Sequence, residues 1–185
     1  MPNWCSNSVS FYHDDVEMIK RAQIALCGGR LFDEFVPCPE QLKEATASFS
    51  EEYAEQNERN IKETGYASWY DFAVNEWGSK WDCEPYSNEI SEDGHTLQCS
   101  FDTAWSPPVA FYEKMKDLGF VINAEYYEPG CAFVGEWLDG DDYVYEIPGT
   151  AAEAREEIPE HLDENWGISS YLEEWEAENA EEDEE

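Results

Sequence analysis

Forty-four Asp and Glu against 10 Lys and Arg leave this 185-residue chain at a formal charge of −34, and any fold must keep those carboxylates in water or give each a partner. That leaves helices and strands with one face to bury. Material for a core is present in 8 Trp, 11 Tyr and 9 Phe, and chains disordered throughout are poor in aromatics. The expectation is one folded domain with an appendage, burying roughly 70% of the surface its unfolded form exposes. The charge excludes direct binding of nucleic acid or anionic membrane through a general basic surface. No apolar run approaches the roughly 20 residues of a spanning helix. No basic stretch leads into an apolar one at the N-terminus, as a secretory leader would require. A cytoplasmic location is expected. Cysteines 5, 27, 38, 83, 99 and 131 form no CxxC pair and sit near no His at zinc-finger spacing, so reduced, mostly core thiols are expected.

Residues 4–12 read as a strand. Asp14 offers a helix N-cap with Glu17 three residues on. Val16, Ile19, Gln23 and Leu26 follow at helical spacing until Gly28-Gly29 stops the helix. Leu31–Val36 is a short apolar segment. Residues 40–65 suggest one or two exposed helices with little to bury. Trp69, Tyr70, Phe72, Val74 and Trp77 form an aromatic helix broken at Gly78. Asp93-Gly94 is a hairpin turn signature, leading into the alternating Leu97, Cys99 and Phe101. Ser106 offers a cap for a helix beginning at Pro107, which stops at Gly119. Strands are expected over 120–127, 131–138 and 143–147.

The first six elements give β-α-β-β-α-β, the split βαβ or ferredoxin-like arrangement. The expected fold is α+β: a mostly antiparallel sheet with helices on one face, a helical, aromatic-rich insertion at 30–82, and extra C-terminal strands, together spanning 1–147. Residues 117–185 hold 23 acids and one base, Arg155. An acidic helical extension is expected over 148–178, with helices at 151–162 and 168–177. A disordered acidic tail is expected at 179–185.

Four blocks add a resemblance. Pro2-Asn3-Trp4-Cys5-Ser6-Asn7 opens the chain, and Val36-Pro37-Cys38-Pro39-Glu40 follows the first helix. Trp77-Gly78-Ser79-Lys80-Trp81-Asp82 ends the aromatic helix, and Thr103-Ala104-Trp105-Ser106-Pro107-Pro108 joins a strand to the second long helix. Over about residues 2–147 the chain resembles the YubB ferredoxin-like family of phage and conjugative-plasmid proteins. The resemblance implies a ferredoxin-like fold, a mobile-element origin and a host-cell cytoplasm as the setting. It implies no catalytic residues, and the acidic extension lies outside it.

Two surfaces are candidates. Asp139, Asp141, Asp142, Glu153, Glu156, Glu157, Glu160, Asp163, Glu164, Glu173, Glu174 and Glu176 could imitate the phosphates of a duplex. They would capture a basic host protein of nucleic-acid processing or defence through counterion release. Trp69, Trp77, Lys80, Trp81 and Trp105 could instead line a pocket for a nucleotide-like ligand, against the ordinary reading of core tryptophans and a surface lysine. Asp139, Asp141 and Asp142 lack the ligand order of a calcium loop. His13, His95 and His161 are isolated. Pro2, as an N-terminal amine, would need cations around it to act as a base on an acidic substrate, and four arginines are a thin supply. The expectation is a non-enzymatic inhibitor without cofactor or metal; a homodimer is compatible with it.

Overall fold

The computed structural model describes residues 3–43 and 53–182, with side chains through residue 179. Residues 44–52 of the polar stretch, Pro2 and tail residues 183–185 lie outside the described residues. The fold is α+β. Its six-stranded antiparallel sheet has the order β2-β3-β1-β4-β5-β6, made of β1 (Trp4–Tyr12), β2 (Glu84–Ile90), β3 (Thr96–Ala104), β4 (Val121–Glu128), β5 (Phe133–Leu138) and β6 (Asp141–Glu146).

Period-two alternation gives the sheet a helix-covered face. Val9 and Phe11 of β1 point there with Leu97, Cys99 and Phe101 of β3 and Ile122 and Ala124 of β4. Ile19, Ala22 and Leu26 of α1 (Val16–Cys27) pack onto them, with Phe111 and Met115 of α6 (Val109–Asp117). Asp15 caps α1 in place of Asp14, its carboxylate accepting the Glu17 amide at 2.9 Å. Asp14 instead accepts the Tyr12 hydroxyl. α6 likewise starts two residues later than expected, because Ser106 turns its hydroxyl to the Gly78 carbonyl at 2.7 Å.

The segment between α1 and β2 carries α2 (Leu31–Phe35), α3 (Glu40–Lys43), α4 (Ala54–Thr64) and α5 (Trp69–Glu76). α4 buries only Asn60, as a polar helix should. Leu31, Phe32, Leu42, Phe72, Ala73 and Trp77 belong to the main core, so this segment completes the domain. Asp82 anchors it. Its carboxylate accepts the amides of Phe32, Asp33 and Cys83 at 2.8–2.9 Å. Burial pushes its pKa above the usual range, and the three amides act against that shift.

Glu76 ties α5 to two neighbours, accepting from the Tyr66 hydroxyl and pairing with Lys114 at 3.0 Å. The Tyr66 hydrogen bond, then Lys114, holds the Glu76 carboxyl below its ordinary 4.5, while Tyr66 is pushed up to about 12. A lowered folded-state pKa contributes stability above the unfolded value, which is lost as pH falls through the folded one. At pH 7 Glu76→Gln should therefore be less stable than the parent by about 1 kcal/mol, discounted for the half-exposed lysine. Urea melts should show that gap closing below pH ~4.5. A gap that persists at lower pH would mean the carboxylate charge is not its source.

The expectation of helices on one face is corrected by the C-terminal region. α7 (Ala151–Glu157), α8 (Glu160–Trp166) and α9 (Ile168–Glu182) cover the opposite face at β4–β6. Tyr127 and Val134 pair across β4 and β5, and alternation turns them away from the face that holds Ala124 and Trp137. Ala154, Ile158, Leu162 and Ile168 join Val134 in a second core. The polar contacts His161–Glu136 and Asn165–Glu125 tie α8 to the sheet. The single helix expected over 151–162 is two, because Pro159 cannot supply an amide and Ile158 before it is extended. α9 continues to Glu182, five residues past the expected end and into 179–182 of the expected disordered tail, through a run whose Glu and Ala residues favour helix. None of the described helices is long and apolar enough to cross a membrane.

Candidate functional site

The aromatic cluster is assembled where β1 begins and β3 ends. α5 stops at Gly78, whose φ of 80° is open to glycine. A Cβ there would sit 3.3 Å from the amides of Val109 and Ala110, so glycine also lets α6 approach. Ser79 is buried, its hydroxyl accepting the Ala104 amide at 3.2 Å. This holds Lys80 and Trp81 beside the end of β3. Trp105 follows with φ of 71°, a costly conformation for a bulky residue, and donates its amide to the Asn3 carbonyl at 2.9 Å.

The Lys80 ammonium lies 4.4 Å from the Trp81 ring centre, 5.2 Å from Trp105 and 5.9 Å from Tyr70. Trp4 packs against Trp81 with centroids 6.3 Å apart. The three distances from Lys80 are cation–π distances. Lys80 makes no ion pair among the described residues, where most of the described bases do. Trp81 and Trp105 are each 39% exposed, leaving indole surface open beside a cation.

Three of the five expected pocket residues, Lys80, Trp81 and Trp105, therefore meet. Trp77 does not join them. It is buried between Phe32 and Phe72, and its indole donates to the Val36 carbonyl at 2.9 Å. Trp69 packs against the main core and edge-on to Tyr70. Trp4 and Tyr70 are the additions. Trp4 was legible in principle, as one of the two aromatics, with Tyr12, that flank Ser6, Ser8 and Ser10 on one face of β1.

The twelve expected acidic residues divide. Glu153, Glu156, Glu157, Glu160, Glu164, Glu173 and Glu174 are exposed on α7–α9, and Asp139, Asp141 and Asp142 on the β5–β6 hairpin. Arg155 pairs with Glu173 at 2.6 Å. Asp163 is not a surface carboxylate. It is buried and accepts the Ser169 amide at 2.7 Å, joining α8 to α9. Glu176 is half-buried and accepts the Ala151 amide at 2.9 Å. Asp142 accepts the Tyr126 hydroxyl at 2.5 Å. Asp163 and Glu176 satisfy helix-terminal donors, a use that composition does not reveal.

Burial pushes the thiols of Cys5, Cys83 and Cys99 up, Cys99 to about 12, so these are unreactive at neutral pH. Among the described residues no group of three or more His, Cys, Asp or Glu could hold a metal ion.

No family model matches the chain, and no curated protein matches it. Among solved structures, the crystal structure of protein api92 from Yersinia pseudotuberculosis, of family DUF1281, is similar with a TM-score of 0.42 and 13% identity. That similarity covers 80% of this chain and 99% of that one.

Proposed function

We propose that this chain is a non-enzymatic binding protein, an inhibitor that captures a basic nucleic-acid-handling partner on a carboxylate surface standing in for duplex phosphates. The observation that carries the reading is the sheath of α7–α9. Eight of its described glutamates are exposed, and Arg155 is its one Lys or Arg. The second core holds this charge on a packed scaffold. A partner that neutralises such a surface gains by counterion release, as it would on DNA. The element order and the run β2-β3-β1-β4 support the ferredoxin-like reading of the sheet, with β5, β6 and α7–α9 as additions. The resemblance to the YubB family adds the mobile-element origin and the host-cell partner.

The test is capture from bacterial lysate at low and high salt. It compares the chain with a variant changing Glu156, Glu157, Glu160, Glu164 and Glu174 to Gln. A basic protein should be held at 50 mM salt and released by 200 mM, on the order of 10³-fold for about six paired charges. DNA should compete, and the variant should lose the capture. Capture that the variant retains would overturn the reading.

One observation favours a second reading, a module that holds a nucleotide-like ligand: the Lys80 ammonium lies between two exposed indoles. Stacking on Trp81 or Trp105 would contribute about 1–3 kcal/mol per base, against the unfavourable field of a −34 protein. Titration with AMP should quench tryptophan fluorescence, less so in Lys80→Gln. No quenching at millimolar AMP sinks this reading.

A further inference from the structure

The sheet ends on two edges, β2 and β6, and they are built differently. β2 carries Pro85 and a register shift between Pro85 and Ser87, devices that blunt an edge. β6 pairs with β5 without a break from Asp141 to Glu146 and holds no proline. No other described strand pairs along its outer side. Alternate residues of an edge strand turn their N–H and C=O groups away from the neighbouring strand, so β6 presents a row of free donors and acceptors. Val144 is 57% exposed and Tyr143 45%. Val144 lines a cleft of about 360 Å³ with Phe133, Val109 and Pro107, and with Tyr126 and Asp142 as its polar pair.

We propose that β6 is an augmentation edge, taking an extended segment of the basic partner as a seventh strand, with one alternate side chain seated in the cleft. This rests on the docking reading above and names where on the chain the partner pairs. Main-chain hydrogen bonds supply affinity in this mode, and pockets for alternate side chains supply selection. Charge chooses the occupant. β6 reads Asp141-Asp142-Tyr143-Val144-Tyr145-Glu146. A second copy paired edge to edge would set its acidic ends against one another, which is destabilising. Alternation puts Asp142, Val144 and Glu146 on the cleft face and Asp141 with Tyr143 and Tyr145 on the other. A segment alternating lysine or arginine with apolar residues therefore seats an apolar side chain over Val144 and lays its cations along Asp141 and the two tyrosines.

The probe is an end-blocked eight-residue peptide alternating lysine and valine, titrated into the full chain and followed by backbone amide NMR. Its control is the same peptide with alternate amides N-methylated, which keeps the charge, removes edge donors and leaves the protein unchanged. The unmodified peptide should shift amides of residues 141–147 and bind at least about tenfold more tightly than the control, as loss of one or two net hydrogen bonds implies. Val144→Pro should remove that advantage. Equal affinity for both peptides, or shifts confined to α7–α9, would overturn the inference while leaving the acidic docking reading standing. Self-association through β6, seen by sedimentation, would overturn it as well. If neither peptide binds, the inference falls, and the salt-dependent capture decides the docking reading separately.

Discussion

Phe32→Ala should lower stability by about 3–5 kcal/mol, the cost of truncating a fully buried phenylalanine. Phe32 has no exposed surface. Its ring lies 4.6 Å from Phe111 of α6, 6.0 Å from Trp77 and 6.1 Å from Phe101 of β3. It therefore joins the segment before β2 to both the sheet and the second core helix. Its amide is one of the three held by Asp82. Urea denaturation read by tryptophan fluorescence is the measurement. A midpoint shift equivalent to less than about 1 kcal/mol would mean that residues 31–77 sit outside the cooperative unit. Phe32→Leu, which keeps most of the volume, should cost clearly less.

Gly135→Ala is the second large effect. A Cβ at this position of β5 would stand 2.4 Å from the Tyr143 carbonyl oxygen and 2.5 Å from the Tyr126 hydroxyl. The first atom is backbone of the next strand and cannot swing aside. Overpacking of this kind costs typically 1–3 kcal/mol, occasionally more, and the upper end is expected because the sheet itself must shift. The second atom adds a local signature, since the methyl would push Tyr126 off Asp142. Tyr126→Phe keeps the ring carbon Cε2 that would stand 2.6 Å from the new methyl, so combining it with Gly135→Ala should recover little of the loss, and the backbone clash remains. Thermal melts of the two variants measure both. A fully tolerated Gly135→Ala would mean that β6 does not pack on β5 at the present spacing.

Residues with strong local chemistry were legible. Gly28-Gly29, Gly78, Asp93-Gly94, Gly119 and Asp139-Gly140 mark where helices and hairpins turn, and the described elements stop or turn at each of them. Alternation over 97–101 placed β3 and its buried face. Caps were legible only to within a residue or two, because Asp14 and Asp15 offer the same side chain at adjacent positions. Trp69 and Trp77 joined the expected pocket because a tryptophan in the sequence looks alike in a core and at a rim. What separates them is which side of α5 meets Phe32, and that depends on residues far along the chain.

The sequence alone determined the mixture of helices and strands, their order, and an acidic C-terminal region beyond the last hairpin. These follow from periodicity, turn residues and charge, all of which act over a few residues. Only the tertiary structure decided that α7–α9 close the second face of the sheet, that the segment before β2 supplies core, and that Lys80 lies among Trp4, Tyr70, Trp81 and Trp105. It also separated Asp163 and Glu176, which satisfy buried helix termini, from the glutamates that face solvent. Each of those outcomes turns on which apolar faces meet and which backbone donors are left over. These are pairings between distant segments, settled by burial and hydrogen bonding together.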